Sequence, residues 1–300
     1  MKHMENGLWE YTEEKDGIHI RRFLGDGYEA EVPSVLDGTP VRVLEKKAFL
    51  SKKRLRRIVL PESVTEVGDW AFAYCGRLKE VVLNTCGVRF GKDVFLDCKE
   101  LERISGVSQT DGTGELLAAA VLHLDAYYLL EPAEAGSISW IDKWDARLKA
   151  VLAEQDSAGF SRLLLCGEED YAGKDNDYDV YIMRRRKKKV CLCYLRLRHS
   201  FALKEELKRT LQAYLRMYAR NGSEAGESFR VLMSEYGSDP VCFRIFTDAG
   251  CVTEENAELF LRDMERLDAG QCTQLKAWLL QYKRETFGYS DIRSALSLDF

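Results

Sequence analysis

The chain has 300 residues, of which 46% are hydrophobic and 31% are charged, and this apolar content excludes a largely disordered protein. The length suits two domains better than one small domain. Its 44 basic and 49 acidic residues give a formal net charge of −5 at pH 7, which is the wrong sign for a general nucleic-acid binder.

We expect neither a membrane segment nor a signal peptide. The longest uncharged apolar run, residues 116–122, is far shorter than the roughly 20 residues of a membrane-spanning helix. The start of the chain lacks the apolar stretch of a signal peptide. The 9 cysteines are scattered along the whole chain, unlike the dense, even-numbered set of a secreted disulfide scaffold. These features predict a soluble, cytoplasmic protein whose cysteines are reduced and mostly buried.

Two short alternating segments predict a β-hairpin near the start of the chain. Residues 17–20 and 28–32 alternate apolar and polar side chains on either side of the turn formed by Gly25, Asp26 and Gly27. We expect this hairpin to cover the open end of the repeats that follow it.

A repeat of 23 residues is the clearest signal in the sequence, and Phe49, Phe72 and Phe95 mark its period. Other columns keep the same spacing: Leu44, Val67 and Phe90; Ala48, Ala71 and Val94; Leu55, Leu78 and Leu101; Ile58, Val81 and Ile104. Alternate residues of each unit point inward from a short strand, and the phenylalanine packs behind it. One unit cannot cover its own apolar face, so the units are predicted to stack as the coils of a solenoid.

The motifs within this repeat resemble the BspA-like leucine-rich repeat. The resemblance rests on two units, residues 67–75 and 90–98, each ending in a cysteine (Cys75 and Cys98), and on Leu78, Val81 and Leu83. Asn84 replaces the expected proline, and Lys52 stands where the first unit would have its cysteine. The resemblance covers residues 8–106. It implies a leucine-rich-repeat fold with a binding role, and it supplies no catalytic residues.

Helical spacing replaces the repeat after a polar, glycine-rich stretch at residues 105–114. One predicted helix carries Ile141, Trp144, Leu148 and Leu152 on one face, and another spans residues 203–218. The next is capped by Asp239, has Pro240 at its first position and stops at Gly250. A further helix covers residues 253–267 and is terminated by Gly270, and the last one carries Leu275, Leu279 and Tyr282. Trp140, Trp144 and Trp278 are interpreted as core or packing residues.

The predicted fold class is therefore α+β. A short three-unit solenoid with a β-hairpin N-terminal cap occupies residues 1–106, with the cap at 8–43 and the repeats at 44–106. A linker spans 107–114, and an all-α helical array or bundle spans 115–300.

Six consecutive cations form the most conspicuous charged run: Arg184, Arg185, Arg186, Lys187, Lys188 and Lys189. Such a run could engage a phosphate backbone. The favoured interpretation is the solvated face of a helix over 179–198, whose buried side carries Val190, Cys193, Tyr194 and Leu197. Acidic residues between 168 and 179 would offset its charge.

Three patterns that suggest a metal or cofactor fail on inspection. An EF-hand loop starting at Asp175 would place Val180 and Arg186 where glycine and glutamate are needed. Cys191 and Cys193, with His199 nearby, would point apart on a helix. Gly112 and Gly114 lack the third glycine of a dinucleotide loop, because Leu117 stands there. We predict no catalytic, cofactor-binding or metal-binding residues.

The leading functional hypothesis is a non-enzymatic scaffold or adaptor that binds a protein partner of unknown identity. The contact residues predicted on the outward side of the repeat strands are Arg57, Val59, Glu80, Val82, Arg103 and Ser105. Three strands make a strip only about 15 Å wide, whereas a stable partner covers about 800 Å² per side. We therefore expect the partner to contact the helical domain too, or the protein to form a homodimer.

Two alternatives stay open. The first is nucleic-acid binding through residues 184–189. The second is a surface or extracellular adhesion-type repeat protein, in which Cys75 and Cys98, one coil apart, would be close enough to form a disulfide.

Overall fold

The computed structural model describes residues 3–106, 112–160, 178–222, 224–267 and 273–288. They form two compact units, Met1–Val151 and Leu152–Phe300. This division differs from the predicted boundary, since two helices group with the repeats. Most of the predicted linker, residues 107–111, lies outside the described residues, and so does Gly270.

Two sheets build the repeat part of the first unit, and its strands are β1 (His3–Asn6), β2 (Trp9–Glu14), β3 (Gly17–Phe23), β4 (Glu29–Glu31), β5 (Val35–Leu36), β6 (Thr39–Leu44), β7 (Arg57–Leu60), β8 (Glu66–Val67), β9 (Glu80–Leu83), β10 (Arg89–Phe90) and β11 (Arg103–Ser105). The long sheet has the order β1-β2-β3-β6-β8-β10, with β5 paired to β6. The short sheet has the order β4-β7-β9-β11, and all its pairs are parallel.

Each coil contributes one strand to each sheet, as the 23-residue period predicts. In the short sheet Ile58 pairs with Val81, and Val81 pairs with Ile104. The solenoid has about four turns rather than the three predicted units, because β3 and β4 form a coil of their own. Ala30 of β4 pairs with Ile58, which places β4 beside β7 in the short sheet.

A stack of aromatic side chains runs through the coils. The ring centroids of Phe49 and Phe72 are 5.2 Å apart, and those of Phe72 and Phe95 are 5.6 Å apart. Phe23 continues the stack at 5.0 Å from Phe49, and Trp9 lies 4.9 Å from Phe23. All five rings are buried. The inward positions predicted from the repeat are thereby confirmed.

Hydrogen bonds between coils reinforce this stack at the predicted cysteine column. The Cys75 thiol lies 3.1 Å from the carbonyl oxygen of Phe49, and the Cys98 thiol lies 3.0 Å from that of Phe72. Lys52, which stands at this position in the first unit, instead donates from Nζ to the carbonyl oxygen of Gly25 at 2.9 Å. At the proline column, the N–H of Asn84 donates to the carbonyl oxygen of Leu60 at 3.1 Å.

The coils turn through left-handed residues that recur with the same period. Lys47, Trp70 and Asp93 have φ values of 67°, 54° and 49°. Tryptophan rarely adopts this conformation, so the neighbouring coil must hold it there. The N–H of Trp70 donates to the carbonyl oxygen of Lys92 at 3.0 Å, and Tyr74, at φ 61°, donates to that of Leu96 at 2.7 Å.

The predicted N-terminal hairpin is wrong in its strands. β3 pairs antiparallel with β2, not with residues 28–32. Those residues are not part of the long sheet; they contain β4, which pairs with β7 in the short sheet. Alternation shows that a segment is a strand with one buried face, but it does not name the neighbouring strand. The N-terminal cap is instead formed by β1 and β2, which pair antiparallel with each other, and β2 pairs antiparallel with β3 of the first coil.

The helix α1 (Thr113–Leu122) contacts β11 and covers the last coil. A Cβ on Gly114 would lie 2.6 Å from the carbonyl oxygen of Ile104, so glycine permits this close approach. The helix α2 (Ile138–Ala153) follows a 3₁₀ turn at Tyr127–Leu129. The indoles of Trp140 and Trp144 are buried, which confirms their predicted core role.

Six further helices are described in the second unit: α3 (Tyr178–Arg198), α4 (Glu205–Met217), α5 (Glu227–Tyr236), α6 (Pro240–Asp248), α7 (Glu254–Leu267) and α8 (Thr273–Phe287). As predicted, Asp239 caps α6, and its Oδ1 accepts the N–H of Val241 at 2.8 Å. α5 was not predicted, and neither was the hairpin of β12 (Arg220–Asn221) with β13 (Glu224–Ala225).

Phe229, Phe246 and Phe260 are central to the core of the second unit. Trp278 is only half-buried, against Phe243. None of the described helices is long and apolar enough to cross a membrane.

We predict that Phe72→Ala lowers the free energy of unfolding by about 3–5 kcal/mol, because it leaves a cavity in the middle of the aromatic stack. Tyr74→Ala is the matched control, since Tyr74 lies in the same coil but is 49% exposed. Chemical denaturation of the two variants provides the measurement. Equal losses would contradict the assigned register.

Candidate functional site

The outward side of the short sheet carries the predicted contact residues. Backbone alternation places Ile58, Val81 and Ile104 in the core and their neighbours outside. We call the outward set the short-sheet face: Glu29, Glu31, Arg57, Val59, Glu80, Val82, Arg103 and Ser105. The structure thus places all six predicted residues on one face and adds Glu29 and Glu31 from β4.

One row of this face alternates in charge across the strands. Glu29 pairs in register with Arg57, Arg57 with Glu80, and Glu80 with Arg103. Arg57 Nε donates to Glu80 Oε2 at 3.0 Å, and Ser105 Oγ donates to Glu80 Oε1 at 2.9 Å. These partly exposed pairs add little stability. They hold the side chains in place, so the row is ordered and nearly neutral.

The second row has an apolar centre. Val59 pairs in register with Val82, and both are half-buried. Glu31 lies beside Val59, and Ser105 lies beside Val82. Two adjacent aliphatic side chains between polar neighbours offer a small patch that a partner can dehydrate.

Both ends of the short sheet disfavour the addition of another strand. At one end, β4 is only three residues long and exposes Glu29 and Glu31. Charged side chains on a short edge strand discourage pairing with another chain. At the other end, α1 contacts β11, and Arg103 Nη2 donates to Glu115 Oε1 at 3.0 Å. The face of the sheet is therefore more open to contact than either of its ends.

A second feature at this sheet was missed by sequence reasoning. Tyr28 precedes β4, and the guanidinium carbons of Arg54 and Arg56 lie 4.7 and 5.1 Å from its ring centroid. A hydrogen bond from Arg54 and the charge of Arg54 lower the pKa of Tyr28, and the charges of Arg56 and Arg77 act in the same direction. We call this group the arginine edge: Tyr28, Arg54, Arg56 and Arg77. Arg54 and Arg77 lie one period apart, which is the signal that could have found them.

The basic run at 184–189 is only in part the solvated face predicted for it, since Arg184 and Lys187 are exposed whereas Lys189 is buried. Lys189 is only 4% exposed, and its Nζ lies 2.8 Å from Asp156 Oδ1. Arg186 Nε donates to Asp156 Oδ2 at 2.8 Å, and Arg185 Nη2 donates to Glu154 Oε2 at 2.8 Å. Lys187 Nζ lies 2.6 Å from Glu235 Oε1.

The helical period explains this correction. Lys189 precedes Val190 and lies four residues before Cys193, so its stem shares the buried side of α3. Leu197, predicted on that side, is only half-buried, whereas Arg196 is fully buried. The acidic residues expected at 168–177 lie outside the described residues. With at least four of its six cations ion-paired within the unit, the run has less to offer a phosphate backbone.

The environment of Asp156 shows how this pairing works. Burial alone raises the pKa of its carboxyl, but hydrogen bonds and charges from Lys189 and Arg186 outweigh burial and lower the pKa below its ordinary value of 3.8. Asp156 therefore stays ionised in a site where it is 12% exposed.

The sequence patterns that were considered as metal or cofactor sites can now be compared with the structure. Among the described residues, no group of three or more histidine, cysteine, aspartate and glutamate side chains could hold a metal ion. Burial raises the pKa of Cys191 to about 12 and raises that of Cys193 further. Asp175 lies outside the described residues. Gly112 takes φ 88° just before α1.

We predict that Asp156→Asn destabilises the second unit by about 3 kcal/mol at pH 7, because Lys189 is left buried beside a neutral group. Since the folded pKa of Asp156 is lowered, its stabilising effect is present above pH 3.8 and is lost as the pH falls through the folded pKa. The difference between variant and wild type should therefore shrink in acid.

Denaturation at pH 7 and pH 3 measures this effect. Glu265→Gln is the control, because it breaks the exposed pair with Lys276 and should change the stability far less than Asp156→Asn does at pH 7. A pH-independent loss for Asp156→Asn would refute the assignment.

Residues 34–115 match the family described as "BspA type Leucine rich repeat region (6 copies)". No curated protein matches the chain.

Three solved structures resemble about a third of the chain. A leucine-rich repeat protein of T. pallidum is 34% identical with a TM-score of 0.32, over 35% of this chain and 50% of that one. A leucine-rich cell surface protein from Faecalibacterium prausnitzii A2-165 is 26% identical with a TM-score of 0.34, over 36% of this chain and 31% of that one. A leucine-rich repeat protein from Bacteroides capillosus ATCC 29799 is 26% identical with a TM-score of 0.32, over 36% of this chain and 87% of that one. The chain thus spans half or less of the first two proteins. The resemblance predicted from the repeat is confirmed, and residues 34–115 match the BspA-type leucine-rich repeat family.

Proposed function

We propose that this protein is a non-enzymatic scaffold that binds another protein through the short-sheet face. The observation that carries this proposal is the ordered arrangement of that face, in which Val59 and Val82 lie side by side next to the Arg57–Glu80 ion pair. The match to a repeat family rather than to an enzyme family supports a binding role.

The size of the face determines how a partner must bind. Four strands spaced by about 4.8 Å give a width of about 19 Å, and two outward residues per strand span about 7 Å. This area is well below the roughly 800 Å² that each side of a stable complex buries. A stable partner must therefore also contact a further surface, either of the second unit or of a second copy of this chain.

We also propose that the protein works in the cytoplasm. The two thiols that one coil separates, Cys75 and Cys98, are free, and each lies against a carbonyl oxygen of the preceding coil. This arrangement supports a reducing compartment over the extracellular alternative.

Thiol reactivity tests the state of these cysteines. Burial raises the pKa of Cys75 to about 11 and raises that of Cys98 further, so few reactive thiolates form. We predict that iodoacetamide at pH 8 modifies the exposed Cys86 in the folded protein and modifies Cys75 and Cys98 only after unfolding. Peptide mass spectrometry of the protein isolated under alkylating conditions provides the measurement. A disulfide between Cys75 and Cys98 would overturn the proposal.

Affinity capture with matched variants tests the scaffold. Val82→Glu places a charge in the centre of the short-sheet face, whereas Val35→Glu makes the same change at a 49% exposed valine of β5. We expect Val35→Glu to retain the same proteins as the wild type. The amount of these proteins retained by Val82→Glu should be at least fivefold lower.

The capture is repeated with nuclease, after circular dichroism has shown that both variants fold. Retention by Val82→Glu equal to that of the wild type would refute the proposed surface. Capture that depends on nuclease-sensitive material would instead favour the basic run at 184–189.

A further inference from the structure

We propose that the arginine edge binds acidic side chains, aspartate or glutamate, of the protein that the short-sheet face recognises. This inference deepens the proposed function and rests on it, because it names the chemistry of the partner beside the same sheet.

The backbone fixes this edge next to the face. The carbonyl oxygen of Tyr28 accepts the N–H of Arg56 at 2.7 Å and that of Arg57 at 3.2 Å. One coil therefore aligns with the next at the point where both short-sheet strands begin. Arg57 belongs to the short-sheet face, so an acidic segment bound at the edge continues onto that face.

The arginine edge is held open to solvent rather than folded into the core. Tyr28 is 49% exposed, and the side chain of Arg54 is 51% exposed. Arg56 and Arg77 are also exposed. The guanidinium groups of Arg54 and Arg56 lie against the Tyr28 ring, which restricts their motion before any partner arrives. Binding then costs less side-chain entropy than it would for free arginines.

The charge balance of the edge differs from that of the neighbouring face. Arg57 has Glu80 at 3.0 Å, Lys79 has Glu102 at 2.8 Å, and Arg54 has Asp26 at 3.3 Å. Among the described residues, by contrast, no carboxylate lies within ion-pair distance of Arg56 or Arg77. The guanidinium groups of Arg56, which lies 5.1 Å from the exposed Tyr28 ring, and of Arg77 are thus left to be neutralised from outside.

The surroundings favour an acidic side chain over a nucleic acid. Asp26 pairs with Arg54, and Glu102 pairs with Lys79, whose backbone N–H donates to the carbonyl oxygen of Arg56. These carboxylates would repel the successive phosphates of a bound strand. A carboxylate is smaller than a strand of phosphates, and the planar guanidinium group matches its geometry.

The test uses the full chain and a short fluorescent peptide of alternating glutamate and serine, measured by anisotropy at low salt, where exposed charges are least screened. The variant Arg56→Gln/Arg77→Gln removes the two cations that lack carboxylate partners. The control Arg22→Gln/Arg209→Gln removes the same charge from two other exposed arginines. Probes with glutamine in place of glutamate, and an oligothymidylate of equal charge, complete the set.

We expect the glutamate peptide to bind at least fivefold more weakly to Arg56→Gln/Arg77→Gln, and less than twofold more weakly to the control. The glutamine peptide should not bind measurably. Equal binding to both variants, no binding to the wild type, or tighter binding of the oligothymidylate would each overturn the proposal. If the wild type fails to bind the peptide while Val82→Glu loses its captured partner, the acidic-segment proposal falls and the scaffold stands.

Discussion

The stack of phenylalanine rings inside the coils is the interaction on which the rest of the first unit depends. Phe49, Phe72 and Phe95 lie over one another because the coils that separate them share one length of 23 residues. That common length aligns the strands of the short sheet, so that residues 23 positions apart become neighbours. The rows of the short-sheet face, including the pair Val59 and Val82, are therefore a consequence of packing on the opposite side of the same strands.

Charge is organised differently on neighbouring parts of this surface, and in the proposed function this difference is what a partner recognises. On the short-sheet face, cations and anions pair across the strands, as Arg57 does with Glu80. Such a row favours a partner of complementary shape and polarity, and it contributes more to the specificity of binding than to the affinity. At the arginine edge, Arg56 and Arg77 are left with net positive charge beside Tyr28. The combination of an ordered neutral face with a local cationic edge supports recognition of a protein with an acidic segment.

The sequence predicted the coils, the inward residues and most helices because each follows a period that packing enforces. It did not predict which strands meet. Residues 28–32 alternate in the expected way, yet they join β7 rather than β3, which depends on the path of the chain between the sheets. Nor did it predict the pairing of Lys189 with Asp156, since the two residues are 33 positions apart. The arginine edge was missed because the sequence did not show which strands pair. Tyr28 contacts Arg54 and Arg56 only because β4 lies beside β7.

The most direct test of the account is to lengthen the solenoid in and out of register. Duplicating residues 61–83 adds one whole 23-residue coil, and deleting one residue from the duplicate shifts every later column. Denaturation followed by fluorescence should show cooperative unfolding at an unchanged or higher midpoint for the whole coil, and clear destabilisation for the shortened one. Equal stability of the two insertions would contradict the claim that the aromatic register determines the structure and the surface built on it.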